Sequence, residues 1–70
     1  MNVSIREHII NNFKDDNIDE IKEAVNESVE GGDEMTLPGL GVFMSLLWEN
    51  SNDKDKDKIL DKIKLALNKG

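Results

Sequence analysis

The sequence predicts an all-α fold, a compact bundle of three to four short helices at about 4–14, 18–30, 38–50 and 53–68, forming a single helical domain over 1–70. Three observations carry this. Apolar residues recur at helical spacing in four segments. Ser, Asn, Pro and Gly stand where such segments should start and stop. With no Cys in 70 residues, neither disulfides nor thiolate metal sites can supplement a small core, so stability must come from packed apolar side chains or from association.

The first segment, SIREHIINNF, carries Ile5, Ile9, Ile10 and Phe13 at i, i+4, i+5, i+8. Ser4 precedes the stripe and Glu7 follows three residues later, so Ser4 is expected to cap the helix while Glu7 reaches back to the Ser4 amide. The polar KDDN then interrupts the pattern. Asn17 opens a second unit, NIDEIKEAVNESVEGG, with Glu20 at the matching capping-box position. Ile18, Ile21, Ala24, Val25 and Val29 make one face, and Gly31–Gly32 offer the left-handed conformation that ends helices.

After the turn DEMT comes TLPGLGVFMSLLWE, which holds the only Pro and the only Trp of the chain. Pro38 suits a first helical turn, where its missing amide proton has no partner to lose, with Thr36 or Leu37 at the cap. Gly39 and Gly41 weaken that helix by ~1 kcal/mol each relative to Ala. Their natural use is to let another helix approach closely. Leu40, Phe43, Leu47 and Val42, Leu46 form adjoining rows that Met44 and Trp48 widen almost all round, the pattern of a helix surrounded by others. In the last segment, Ile59, Leu60, Ile63, Ala66 and Leu67 again share one face. It is preceded by DKDKDK, in which opposite charges meet at i, i+3 and like charges at i, i+4, so net helix support is small. Asp53, Asp55 and Asp57 complement the positive end of the helix dipole, and Lys62, Lys64 and Lys69 the negative end.

Composition bounds the function. Hydrophobic residues make up 37% of the chain and charged residues 34%, with fifteen acids against nine Lys plus Arg for a net charge of −6. That is ordered but shallow. The acidic balance disfavours nucleic acid, whose binding usually begins with a basic patch. The apolar run Leu40 to Trp48, broken by Gly41 and Ser45, is far below the ~20 residues of a bilayer span, so no membrane is expected. Arg6, Glu7 and His8 interrupt the apolar positions near the N-terminus, and no signal peptide is expected there.

The residues predict no catalytic, cofactor-binding or metal site. His8 is the only histidine, so neither a Cys–His dyad nor a multi-His metal site can be built, and it reads as a solvated or half-buried structural residue. Asp53, Asp55 and Asp57 imitate the start of an EF-hand loop, but the sixth and twelfth positions hold Lys58 and Lys64 where Gly and Glu are required. The GLG of LPGLGVF lacks the remaining glycine of a dinucleotide fingerprint and the Gly-Lys-Ser/Thr of a P-loop. No cofactor is expected.

The stretch MTLPGLGVFMSLLWEN, preceded by EGGDE and by IREHIINNF, resembles the I-type small acid-soluble spore proteins of endospore-forming bacteria. That family shows an Arg-His first helix, a helix ending in a Gly-Glu-Glu turn, and an L-P-G-L-G-V segment closing on an aliphatic-Trp pair. The likeness runs from about Val3 to Trp48, and the charged last helix matches in character. In REH, Glu7 separates the Arg and His that the family holds adjacent, so the family pattern assigns His8 no role. The resemblance implies a cytoplasmic protein of the developing forespore and the spore core, and no mechanism. The DNA-saturating spore proteins are a different family, and neither their DNA-binding pattern nor their germination-protease site occurs here.

Two readings follow. In the first the chain is a non-enzymatic structural or interaction protein with an unknown partner. Its packing or partner-contact residues are Leu37, Pro38, Gly39, Leu40, Gly41, Val42, Phe43, Leu47 and Trp48, and a homodimer through the 38–48 helix is one form of it. In the second it is associated with nucleic acid through Lys54, Lys56, Lys58, Lys62 and Lys64, against a local charge that the interleaved acids nearly cancel.

Overall fold

The computed structural model describes residues 4–69, which form four α-helices and, among the described residues, no strand. The helices are α1 (Ile5–Phe13), α2 (Ile18–Gly31), α3 (Leu37–Glu49) and α4 (Asp53–Lys69), in agreement with the four predicted segments.

Local hydrogen bonds set most boundaries. Ser4 lies in extended conformation and its Oγ accepts from the Glu7 amide at 3.0 Å. The reciprocal arm differs from expectation, because the Glu7 carboxylate takes a 3.4 Å bond from the Ser4 hydroxyl rather than from the Ser4 amide. At Asn17 the full capping box forms: the Glu20 amide donates to Asn17 Oδ1 at 2.9 Å, and the Asn17 amide to Glu20 Oε1 at 3.0 Å. Gly31 stays helical and Gly32 alone turns left-handed, at φ 56°, where a Cβ would be strained.

The entry to α3 is less conventional. Thr36 occupies the cap with helical dihedrals and makes no side-chain cap bond; its hydroxyl donates backward to the Asp33 carbonyl at 2.8 Å. The turn before it is held by Asp33 Oδ1, which accepts from the Met35 amide at 2.9 Å. Tertiary packing and Pro38, rather than a cap, fix where α3 begins. At its far end Asn50 Nδ2 and Ser51 Oγ donate to the carbonyls of Leu46 and Leu47 at 2.8 and 2.6 Å, satisfying groups that a helix end leaves open. Asn52 then starts α4, its Oδ1 accepting from the Asp55 amide at 2.8 Å.

α3 is the element on which α1 and α2 pack. Phe13 of α1 meets Phe43 of α3 edge to face, with ring centroids 5.2 Å apart and planes at 75°, a geometry the aromatic quadrupole favours. Arg6 and Glu49, 43 residues apart, form a two-pronged pair at 3.0 and 2.7 Å that ties the start of α1 to the end of α3. At Gly39 a Cβ would sit 3.4 Å from Ile9 Cδ1, so α1 does approach the glycine; at Gly41 a Cβ would meet nothing within 4 Å. Within the chain, only Gly39 serves close approach.

No described residue is fully buried. Leu40, Val42, Phe43, Leu46 and Trp48 are half-buried, while Met44 and Leu47 lie open to solvent, so α3 is central without being enclosed. The predicted faces of α1 and α2 are also narrower than their sequence stripes, because Ile5, Ile18 and Val29 are exposed. The accessible surface is 5982 Å² for 7.9 kDa, against ~4,400 Å² for a folded monomer of that mass. The radius of gyration is 13.5 Å, against ~11 Å for a spherical domain of this length. Both follow from a bundle that carries α4 on its flank.

Candidate functional site

The two sets of residues singled out from sequence occupy α3 and α4, and the fold divides each. On α3 the row Gly39, Phe43, Leu46 turns inward. With Leu40 it lines, together with Ile9 and Phe13, shallow clefts between α3 and its neighbours, one of them of about 210 Å³. Leu37, Pro38, Gly41 and Leu47 are exposed. Trp48 is half-buried on the side of α3 nearest α4, where it borders an open groove of about 420 Å³ lined also by Met44, Ser45, Glu49 and Leu60. The nine candidate contact residues therefore do not converge on one site. Some complete the intramolecular packing, and the others belong to an outward apolar surface.

The lysines divide in the same way. Lys56 is half-buried, its Nζ 5.1 Å from the Trp48 ring centroid, a cation–π contact worth ~0.5–1 kcal/mol at an exposed site. Lys54, Lys58, Lys62 and Lys64 are exposed. The first three follow one another at i, i+4, i+8 along one row, and Asp53, Asp57 and Asp61 form a second row at the same spacing.

Sequence reasoning missed three features. The Arg6–Glu49 pair joins residues with no local relation. Its hydrogen bonds hold the Glu49 carboxyl below the usual carboxylate range and raise the Arg6 guanidinium further. Met44 and Leu60, which line the α3–α4 groove, were read as core, because periodicity reports a face and not what covers it. His8 sits exposed on α1 within 3.3 Å of Asn12 Nδ2, one turn along the same helix, which explains it without a ligand. Among the described residues no three His, Cys, Asp or Glu side chains come together as a metal-binding set, and no helix is long and apolar enough to cross a membrane.

Four short helices, an acidic surface and an outward apolar face define a small all-α protein whose most developed features are packing and contact surfaces. The profile of the family described as small, acid-soluble spore protein I matches residues 3–67, and the chain belongs to that family. Among similar proteins, small, acid-soluble spore protein I of Halalkalibacterium halodurans strain C-125 is 33% identical over 67 residues, covering 96% of this chain and 98% of that protein. The protein of the same name from Bacillus velezensis strain FZB42 is 32% identical over 60 residues, 86% of this chain and 84% of that one. That of Bacillus cereus strain G9842 is 28% identical over 69 residues, 99% and 100% of the two chains. No solved structure matches the chain.

Proposed function

We propose that this chain is a non-enzymatic structural or interaction protein of the spore core. Its membership of a spore-protein family places it in sporulation, and the observation that carries the finer reading is the outward apolar surface. Leu37, Met44, Leu47, Leu60, Ile63 and Leu67 are all substantially exposed, on a chain whose polar side chains are engaged mainly in caps and turns. An apolar surface of this kind on a small soluble-looking chain marks contact with another macromolecule. Deletion in a native spore-former, with spores fractionated after acid extraction and assayed for resistance and outgrowth, tests it. The expected result is recovery of the protein from the core fraction and a resistance or outgrowth defect restored by the wild-type chain. Recovery from the coat fraction alone would refute the location, and a substrate turned over by the purified chain would refute the non-enzymatic reading.

The exposed row Lys54, Lys58, Lys62 supports a second reading, association with nucleic acid through α4. The neighbouring row Asp53, Asp57, Asp61 opposes it, since paired rows leave little net positive charge to displace counterions. Tight, steeply salt-dependent retardation of duplex DNA would put this reading first.

A further inference from the structure

The apolar face of α4 has too little to cover it within its own chain. Ile59 is half-buried, but beyond it Leu60, Ile63 and Leu67 are 49%, 40% and 73% exposed, and exposure grows toward the C-terminal end of the helix. Below this face lies the α3–α4 groove with Met44 and Trp48, and Leu47 adds a further side chain at 50% exposure. We propose that this face is covered by α4 of a second copy of the chain, the two helices running parallel about a two-fold axis. The proposal rests on the interaction reading above and specifies its partner.

Area supports a second copy. The chain exposes roughly 1,500 Å² more than a folded monomer of its mass should, whereas a stable interface removes about 800 Å² from each partner. The surplus is large enough to supply such an interface, and burying it would give these helices the enclosed core that no described residue enjoys in the single chain.

Charge chooses the partner and its direction. The lysine row Lys54, Lys58, Lys62 borders one side of the apolar face, and the aspartate row Asp53, Asp57, Asp61 approaches it from the other side of the helix. When two identical helices meet face to face in parallel, opposite edges adjoin, so the lysine edge of one protomer lies beside the aspartate edge of its partner. In an antiparallel pair like edges adjoin, and lysines would face lysines and aspartates aspartates. Edge charges of this kind set pairing direction in helix pairs. The DKDKDK run, which supports its own helix weakly because like charges recur at i, i+4, gains from this pairing a use that the isolated helix does not give it. The contact is isologous, so it closes as a dimer and does not propagate.

Analytical ultracentrifugation of the full chain over a range from micromolar to millimolar, with thermal melts at each concentration, gives the first readout. The expected result is a species of about 16 kDa, twice the 7.9 kDa of the chain, and a melting temperature that rises with concentration. A 7.9 kDa species throughout, with a concentration-independent melt, overturns the proposal and leaves the non-enzymatic reading standing. Because the chain has no Cys, single cysteines report geometry without depending on a variant that unfolds. Leu67→Cys is expected to form an intermolecular disulfide under mild oxidation, since only parallel helices bring the two copies of residue 67 within the ~7 Å a disulfide spans. Val29→Cys, exposed on α2, is expected to cross-link at least tenfold more slowly. Equal rates at the two positions overturn the proposal. Ile63→Glu is expected to shift the sedimenting species to the monomer, and a variant that remains dimeric with wild-type affinity overturns the assignment to this face.

Discussion

Gly41→Ala is expected to stabilise the protein, and the structure sets the size of the effect. Gly41 lies in the interior of α3 with an ordinary helical backbone, the only left-handed residue among those described being Gly32. A Cβ added at Gly41 meets nothing within 4 Å, so no clash offsets the intrinsic gain of about 0.8–1 kcal/mol from replacing Gly by Ala in a helix. For a chain of this length that corresponds to a rise of ~4–8 °C in melting temperature. Gly39→Ala is the internal comparison: its Cβ would stand 3.4 Å from Ile9 Cδ1, at the near edge of ordinary contact, so its gain should be the smaller. Circular dichroism melts of both variants at one fixed protein concentration provide the measurement. If Gly41→Ala leaves the melting temperature unchanged or lowers it, the assignment of Gly41 to open solvent is wrong.

Two further expectations follow from the caps and the ion pair. Asn17→Ala removes both hydrogen bonds of the α2 capping box and should cost ~1 kcal/mol in chemical denaturation, whereas Asn17→Asp should retain most of the stability. Glu49 has its pKa lowered by the hydrogen bonds from Arg6, so the stability it contributes is present above the unfolded carboxylate value of about 4.3 and is lost as pH falls through the lower folded value. The melting-temperature gap between wild type and Glu49→Gln should be small and salt-sensitive, as for any exposed pair, and it should close in acid; a gap that widens below pH 4 would contradict the pairing.

The spore-family likeness was visible in MTLPGLGVFMSLLWEN before any coordinates. The candidate contact surface was only half visible. Leu47 was named, but Met44, Leu60, Ile63 and Leu67 were assigned to core faces, because a helical period shows that residues share a side and says nothing of whether a neighbour covers it. The same limit applies to Gly41, which shares its chemistry with Gly39 and differs from it only in having no helix opposite.

Helix number, helix limits and capping residues are written in short-range order. Ser4 with Glu7, Asn17 with Glu20 and Gly32 with Ser28 interact within four residues of one another, so the local string contains both partners. The inward turn of Gly39 and Phe43, the Arg6–Glu49 pair across 43 residues, and the uncovered face of α4 depend on how helices are placed in space. Those placements come from many weak apolar contacts competing at once, and in a chain too small to enclose every apolar face, which face stays open is settled only by the packing.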